Sequence, residues 1–281
     1  MKTLFVSDLD GTLLTKEERV SEYSRERLNG MIERGLLFTY ATARSYESAL
    51  RAVRGLNINI PVALYNGGLI FHPKTGETLD AVLFSDEEKT YINAVLRAHK
   101  IQPFVFGVTP DRSHERVSWL AGSETIGMQR YLTRRRGDIR VGSVNSEEDL
   151  LSGVVFNFKC IGPREMLDSA WNDLKLDSRF ICIYRQEAYH SDFWMEISPR
   201  QATKATGVQK IKSILGCDRV VCFGDTSNDS DMFDVCDEKY AVMNADEWLK
   251  QKATGVVGYC EEDGVAKWLE EHCGPSDYQK K

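Results

Sequence analysis

Proline and histidine are scarce in this 281-residue chain, at 7 and 5. So little proline excludes a collagen-like or proline-rich architecture. The seven cysteines (160, 182, 217, 222, 236, 260 and 273) are odd in number and include no Cys-x-x-Cys pair. Without histidines at zinc-ligand spacing either, they read as reduced, small hydrophobes of a cytoplasmic protein, not as a disulfide framework or a zinc module. No apolar run is long enough to span a bilayer, and Met1-Lys2-Thr3-Leu4-Phe5-Val6-Ser7-Asp8 lacks the apolar core of a secretion signal. Surplus positive charge is missing too. The formal net charge is −6, so nothing chain-wide attracts nucleic acid or an acidic membrane, and neither is expected as a partner. An anionic ligand must therefore meet a local cluster of cations or a metal. What is present is an ordinary globular composition, 42% apolar and 28% charged, enough for one large α/β domain or two smaller ones.

The first third alternates strand and helix. Thr3 to Ser7 reads as a buried strand. Ser21 is a candidate N-cap for a helix bearing Leu28, Met31 and Ile32 and stopping near Gly35. Leu36 to Tyr40 is a second strand, Ser45 caps a helix to about Gly55, and Pro61 to Tyr65 is a third strand ended by Asn66-Gly67-Gly68. This rhythm predicts a parallel sheet covered on both faces. It changes near Ile70. A hairpin (Leu69 to His72 and Leu79 to Leu83), a helix with a Ser85–Glu88 capping box, and strands at 103–108, 154–160 and 180–184 suggest an α+β module. A helix at Lys204 to Leu215, a strand at Val220 to Phe223 and another at Tyr240 to Met243 restore the first rhythm. The expected division is a discontinuous core of residues 1–83 and 191–281, interrupted by a module of residues 84–190. The tail from Gly274 reads as poorly anchored.

Four separate segments place reactive groups at strand ends or helix starts, where open α/β sheets bind ligands. In Asp8-Leu9-Asp10-Gly11-Thr12, one carboxylate can attack phosphorus and a second can shuttle a proton. Gly11 permits a tight turn, and Thr12 can hold it by a side-chain bond to backbone. Thr42 ends the second strand and, with amides at the start of a helix, suits phosphate oxygens. Lys204 opens a helix, a position the helix dipole disfavours, and can neutralise phosphate and Asp8 together. Gly224-Asp225-Thr226-Ser227-Asn228-Asp229 again ends an apolar strand in acids. Mg²⁺ takes hard oxygen ligands, which Asp225, Asp8 and the backbone carbonyl of Asp10 would provide, with Asn228 and Asp229 orienting Lys204 and the ligands.

In this order the four segments resemble the four motifs of the haloacid dehalogenase (HAD) superfamily, and the chain is similar to its Cof-type branch, subclass IIB. The resemblance implies a doubly wound, Rossmann-like parallel-sheet core with an inserted α+β cap of the C2B type. It implies an Mg²⁺-dependent phosphatase of small phosphorylated metabolites, sugar phosphates foremost, working through an aspartyl phosphate. Asp8 would be the nucleophile and Asp10 the general acid/base. Thr42 and Lys204 would bind phosphate, with Ala43, Arg44, Asn66, Gly67 and Asn228 near the substrate. Asp8, Asp10, Asp225 and Asp229 would form the metal site. Asn244-Ala245 and Asp263-Gly264-Val265 resemble the family's C-terminal signatures. Ala43 departs from the usual Thr-Gly-Arg, which makes the role of Arg44 less secure than that of Thr42.

Two other readings compete. A phosphomutase shares the nucleophile and metal site, whereas a non-catalytic phospho-acceptor has a similar acidic pocket but is a single small domain. Inside the module, Arg134-Arg135-Arg136, Tyr184-Arg185 and Tyr189-His190 read first as surface or packing residues. Asn157 and Lys159 alternate with Val155, Phe156 and Phe158 and so could line an open sheet face.

Overall fold

Every residue of the first strand, β1 (Thr3–Ser7), is buried, as an apolar run in a sheet covered on both faces requires. The computed structural model describes residues 1–109, 115–186 and 191–279. Helix α1 (Glu22–Glu33) begins at Ser21, whose side chain accepts from the Ser24 N–H, and buries Leu28, Met31 and Ile32. β2 (Leu37–Tyr40), α2 (Tyr46–Ala52) and β3 (Val62–Leu64) continue the alternation; Ser45 precedes α2 without a side-chain cap. β4 (Leu69–His72) and β5 (Glu77–Ala81) complete a small sheet in the order β3-β4-β5.

The chain then builds a second sheet. Helix α3 (Asp86–Ala98) carries the full Ser85–Glu88 capping box. β6 (Phe104–Val108), β7 (Glu115–Leu120), α4 (Ile126–Thr133), β8 (Val141–Val144) and α5 (Glu147–Leu151) follow. β9 (Val154–Gly162), α6 (Arg164–Leu174), β10 (Phe180–Gln186) and β11 (Phe193–Pro199) come next. Six strands pair in the order β10-β11-β9-β6-β7-β8, antiparallel except for β7 with β8. One face of this sheet, with Phe158, Cys160, Met195 and Ile197, packs on Ile92 and Leu96 of α3 and Leu167 of α6.

The return brings α7 (Lys204–Leu215), β12 (Arg219–Gly224), α8 (Ser230–Val235) and β13 (Glu238–Val242). α9 (Glu247–Lys252), β14 (Gly255–Val257) and α10 (Gly264–His272) end the elements. The main sheet runs β14-β13-β12-β1-β2, every pair parallel, so β1 from the start of the chain lies beside β12 from near its end. The α/β core with a parallel sheet and the inserted α+β module are both present.

Two compact units result, Met1–Asp80 with Ala202–Lys281, and Ala81–Gln201. The second boundary lies later than the expected 190/191, because β11 pairs with β9 and β10 and its Met195 and Ile197 fill the core of the inserted unit. The tail is better held than expected: Gln279 N–H donates to Gly35 O at 3.0 Å, and Arg34 lies over the Tyr278 ring. All seven cysteines are free. No helix among the described residues is long and apolar enough to cross a membrane. Tyr189 and His190 lie outside the described residues.

Phe158 is fully buried with its ring 5.5 Å from that of Phe84. Phe158→Ala should therefore cost about 3–5 kcal/mol, read as a lower urea midpoint of the inserted unit. A loss below about 1 kcal/mol would contradict the packing described.

Candidate active site

Asp8 is the first residue past β1, where its N–H still donates to Phe223 O of β12 at 2.9 Å, so its carboxylate is fixed at the carboxyl edge of the sheet. Asp225 follows β12 in the same way. Gly11 has φ +78°, and a Cβ there would collide with the Asp225 carboxylate. Thr12 holds the turn differently from expectation. Its hydroxyl donates to Asp225 Oδ1 at 3.3 Å, not to backbone, and so ties the first acidic loop to the second.

Lys204 is the first residue of α7, whose N-cap is Thr203, the hydroxyl accepting from the Thr206 N–H. Its side chain has 0% exposure, and Nζ lies 2.7 Å from both Asp8 Oδ1 and Asp229 Oδ1. The other Asp229 oxygen accepts from the N–H groups of Asp225 at 2.8 Å and Thr226 at 3.2 Å. Asp229 thus orients the lysine and closes the acidic loop in one stroke. Asn228 does not share that task. The short turn Ser227–Asp229 exposes it, and its amide oxygen accepts from the Thr226 hydroxyl at 2.7 Å.

Burial pushes the Asp8 carboxyl up to about 8, against the pull of Lys204, and the Asp229 and Asp225 carboxylates add to the rise. Asp225 rises to about 7 for the same reason, helped by Asp229. Lys204 is held above its usual value: Asp8 and Asp229 outweigh the opposing effect of burial. Three carboxylates around one ammonium leave an excess of negative charge when all are ionised. Ligand oxygens of Asp8, Asp225 and Asp229 lie within 4.8 Å of one another. Hard oxygens, net negative charge and this spacing fit a divalent cation.

Asp10, expected to offer a metal its backbone carbonyl, turns its side chain away from the buried acids. Its carboxylate is about half exposed and forms a two-bond pair with Arg44, Nε to Oδ2 at 2.8 Å and Nη2 to Oδ1 at 2.5 Å. Arg44 also reaches Glu18 at 2.9 Å and the Ser48 hydroxyl at 3.1 Å. Thr42 is fully buried, with its hydroxyl accepting from the Arg44 N–H at 3.1 Å and its carbonyl from Asn66 N–H at 2.8 Å. Ala43 is half-buried between them. Asn66 adopts φ 53°, ψ 40°, and its buried amide oxygen has no partner. Gly67 has φ +81° and lies so close to Thr203 O and the Gly207 N–H of α7 that no side chain fits. That glycine serves the seat of Lys204.

Sequence reasoning missed Glu18, which sits in the charged run Lys16-Glu17-Glu18-Arg19 with nothing to single it out. It also gave Asn244 no task. The Asn244 amide donates to Gly11 O at 2.7 Å and accepts from the Cys260 N–H at 3.0 Å, bracing the Asp10–Gly11 turn. Asp263 accepts from the Ser21 hydroxyl and, at 2.7 Å, from that of Ser24.

Residues 5–269 match the profile of the haloacid dehalogenase-like hydrolases. The chain belongs to this family. It is 25% identical over 287 residues to the 5-amino-6-(5-phospho-D-ribitylamino)uracil phosphatase YitU of Bacillus subtilis, covering 96% of this chain and 97% of that one. In fold it is similar to TM0651 of Thermotoga maritima, with a TM-score of 0.77 at 21% identity over 98% of each chain. A HAD subclass IIB sugar phosphatase, BT4131, superposes with a TM-score of 0.65 at 22% identity, over 96% of this chain and 98% of that one. Membership of the HAD superfamily, read from the motifs, holds.

The raised carboxyls set the pH behaviour. Folded values above the unfolded ones mean that ionisation opposes folding. Cation-free protein should lose stability as pH rises from about 4 through 8, the window between the unfolded carboxylate range and the values of Asp225 and Asp8. A divalent cation reverses this, so the rise in melting temperature it produces should grow across the same window. A melting temperature with EDTA that stays flat between pH 5 and 8 would contradict the burial of these acids. Asp229→Ala should cost about 3–5 kcal/mol, since it leaves Lys204 half-paired and two N–H groups orphaned; urea unfolding measures it.

Proposed function

We propose that this HAD phosphatase hydrolyses small phosphorylated metabolites, sugar phosphates foremost, with Mg²⁺ and through a phosphorylated Asp8. The observation that carries the reading is the buried Lys204 bridging Asp8 and Asp229 at 2.7 Å each, beside Asp225. Asp8 can stay ionised here only while that ammonium, and a cation, balance the neighbouring acids. Mg²⁺, when held by Asp8, Asp225 and the Asp10 carbonyl, with Asp229 behind them, would supply charge neutralisation for the phosphate oxygens.

In the first step a carboxylate oxygen of Asp8 forms a bond to phosphorus as the ester P–O bond breaks. Asp10 gives its proton to the departing alkoxide. In the second, water attacks the aspartyl phosphate, passes a proton to Asp10 and frees Asp8 with inorganic phosphate. Lys204 stays charged throughout and offsets the repulsion between Asp8 and the incoming phosphate. Asp10 takes part only after parting from Arg44, because that two-bond pair occupies both of its carboxylate oxygens. Glu18 and Ser48 continue to hold Arg44 when it does. Thr42 shapes the turn that presents the Ala43 backbone towards the phosphate, its hydroxyl held by the Arg44 N–H and its carbonyl by the Asn66 N–H.

Sugar phosphates lead the substrate list because a relative is named for a 5-phospho-D-ribityl compound and a structural neighbour for sugar phosphates. The test is a panel of phosphorylated metabolites with Mg²⁺, scored by release of inorganic phosphate, with Asp8→Asn as the blank. Asp8→Asn should lose activity about 10³-fold or more, and Asp10→Asn about 10²–10⁴-fold. Near-normal turnover by Asp8→Asn would end the covalent route. Interconversion of sugar phosphate isomers without phosphate release would point to a mutase, and a long-lived Asp8 phosphate to an acceptor module.

A further inference from the structure

Glu18 stands in a tight turn, where the Thr15 N–H donates to Arg19 O at 3.0 Å and the Glu18 N–H to Thr15 O at 2.9 Å. Its φ is 55°, in the left-handed region that glycine occupies freely and a residue with a side chain enters at a cost. A residue kept there is held by its surroundings, and such positions gather at functional sites. The turn is pinned from outside as well, the Lys16 N–H donating to Glu261 Oε1 at 2.6 Å. Asp10, Glu18, Arg44, Ser48 and Glu261 all belong to the unit Met1–Asp80 with Ala202–Lys281.

The turn delivers the Glu18 carboxylate to the same guanidinium nitrogen that Asp10 uses. Arg44 Nη2 donates to Asp10 Oδ1 at 2.5 Å and to Glu18 Oε2 at 2.9 Å, while Nε holds the other Asp10 oxygen and Nη1 the Ser48 hydroxyl. One cation therefore serves two carboxylates. The Arg44 side chain is 13% exposed, against 52% for Asp10 and 65% for Glu18.

A guanidinium so far from water is costly to leave without a counter-ion. Were Asp10 its only carboxylate, each departure of Asp10 would strand that charge. Glu18 stays behind as counter-ion, and while the two acids share Nη2 its negative charge repels Asp10. Both effects lower the free energy of separating Asp10 from Arg44. Ser48 is neutral and supplies neither. We infer that Glu18 is a positioning residue for the proton step: it keeps Arg44 paired as Asp10 moves away, and so sets how readily Asp10 reaches the leaving oxygen. The inference rests on the phosphatase reading and deepens it. A merely structural Glu18, steadying Arg44 so that Arg44 grips Asp10, would have the opposite sign, since its loss would loosen the pair.

The experiment compares the wild type with Glu18→Gln, which keeps the shape and removes the charge. It measures kcat/KM with Mg²⁺ for p-nitrophenyl phosphate and for the alkyl phosphate of the metabolite panel that is turned over best. An alkoxide needs the proton of Asp10 as it leaves, whereas p-nitrophenolate departs without one. The ratio of the alkyl to the p-nitrophenyl value should fall about three- to fivefold in Glu18→Gln, the range an exposed charge contact commands. A ratio that rises, or stays within about 1.5-fold because both values are unchanged or fall together, overturns the inference. A second measurement needs no turnover. Urea unfolding of Asp10→Asn, Arg44→Met and the double variant gives the coupling between Asp10 and Arg44. Expressed as an equilibrium factor, it should be about three- to fivefold larger when the cycle is repeated with Glu18→Gln throughout. An unchanged or smaller coupling overturns the inference. Should Arg44→Met not fold, Arg44→Gln takes its place in the cycle. If the wild type hydrolyses no phosphate ester, the phosphatase reading fails separately, and the urea cycle alone judges whether Glu18 loosens the pair.

Discussion

The ammonium of Lys204, stripped of water and held at 2.7 Å between Asp8 and Asp229, is the contact on which the other parts of the core site lean. A buried ion pair stabilises little by itself, because the cost of removing both charges from water offsets their attraction. Breaking it is another matter, since the survivor is left charged and dry. This asymmetry explains the geometry around the lysine. Thr203 caps its helix, Gly67 leaves room for that helix, and Asp229 spends its second oxygen on two loop N–H groups. Each contact fixes the position of one charge relative to the next.

The acids then exceed the cation, and this imbalance is the useful property of the site. A pocket already neutral would have little affinity for a divalent ion, and one without Lys204 would repel a phosphate. Asp10 stands outside this cluster. Its pairing with Arg44, backed by Glu18, holds a half-exposed carboxylate apart from the buried acids.

Much of this was legible in the residues. Strand ends carrying Asp8 and Asp225 were visible because apolar runs stop abruptly at acids, and α7 spans Lys204 to Leu215 as expected. The limits were physical as well. Asn228 and Asp229 are adjacent, and only the short turn Ser227–Asp229 decides which of them reaches the lysine. Arg44 found Asp10 and Glu18 across the fold, pairings that no local pattern encodes. The boundary near β11 was missed because a strand joining the inserted sheet and a strand returning to the core share the same alternation of apolar residues.

The parallel pairing of β1 with β12 has a consequence for how the chain acquires its shape. The contact between Thr12 and Asp225 joins residues 213 positions apart. On a ribosome, the first strand emerges long before its neighbour exists, whereas the inserted unit is continuous in sequence and can organise alone. The nascent chain therefore carries an unfinished sheet edge through most of its synthesis, and assembly of the reactive pocket is deferred until β12 and the loop bearing Asp225 and Asp229 have left the tunnel.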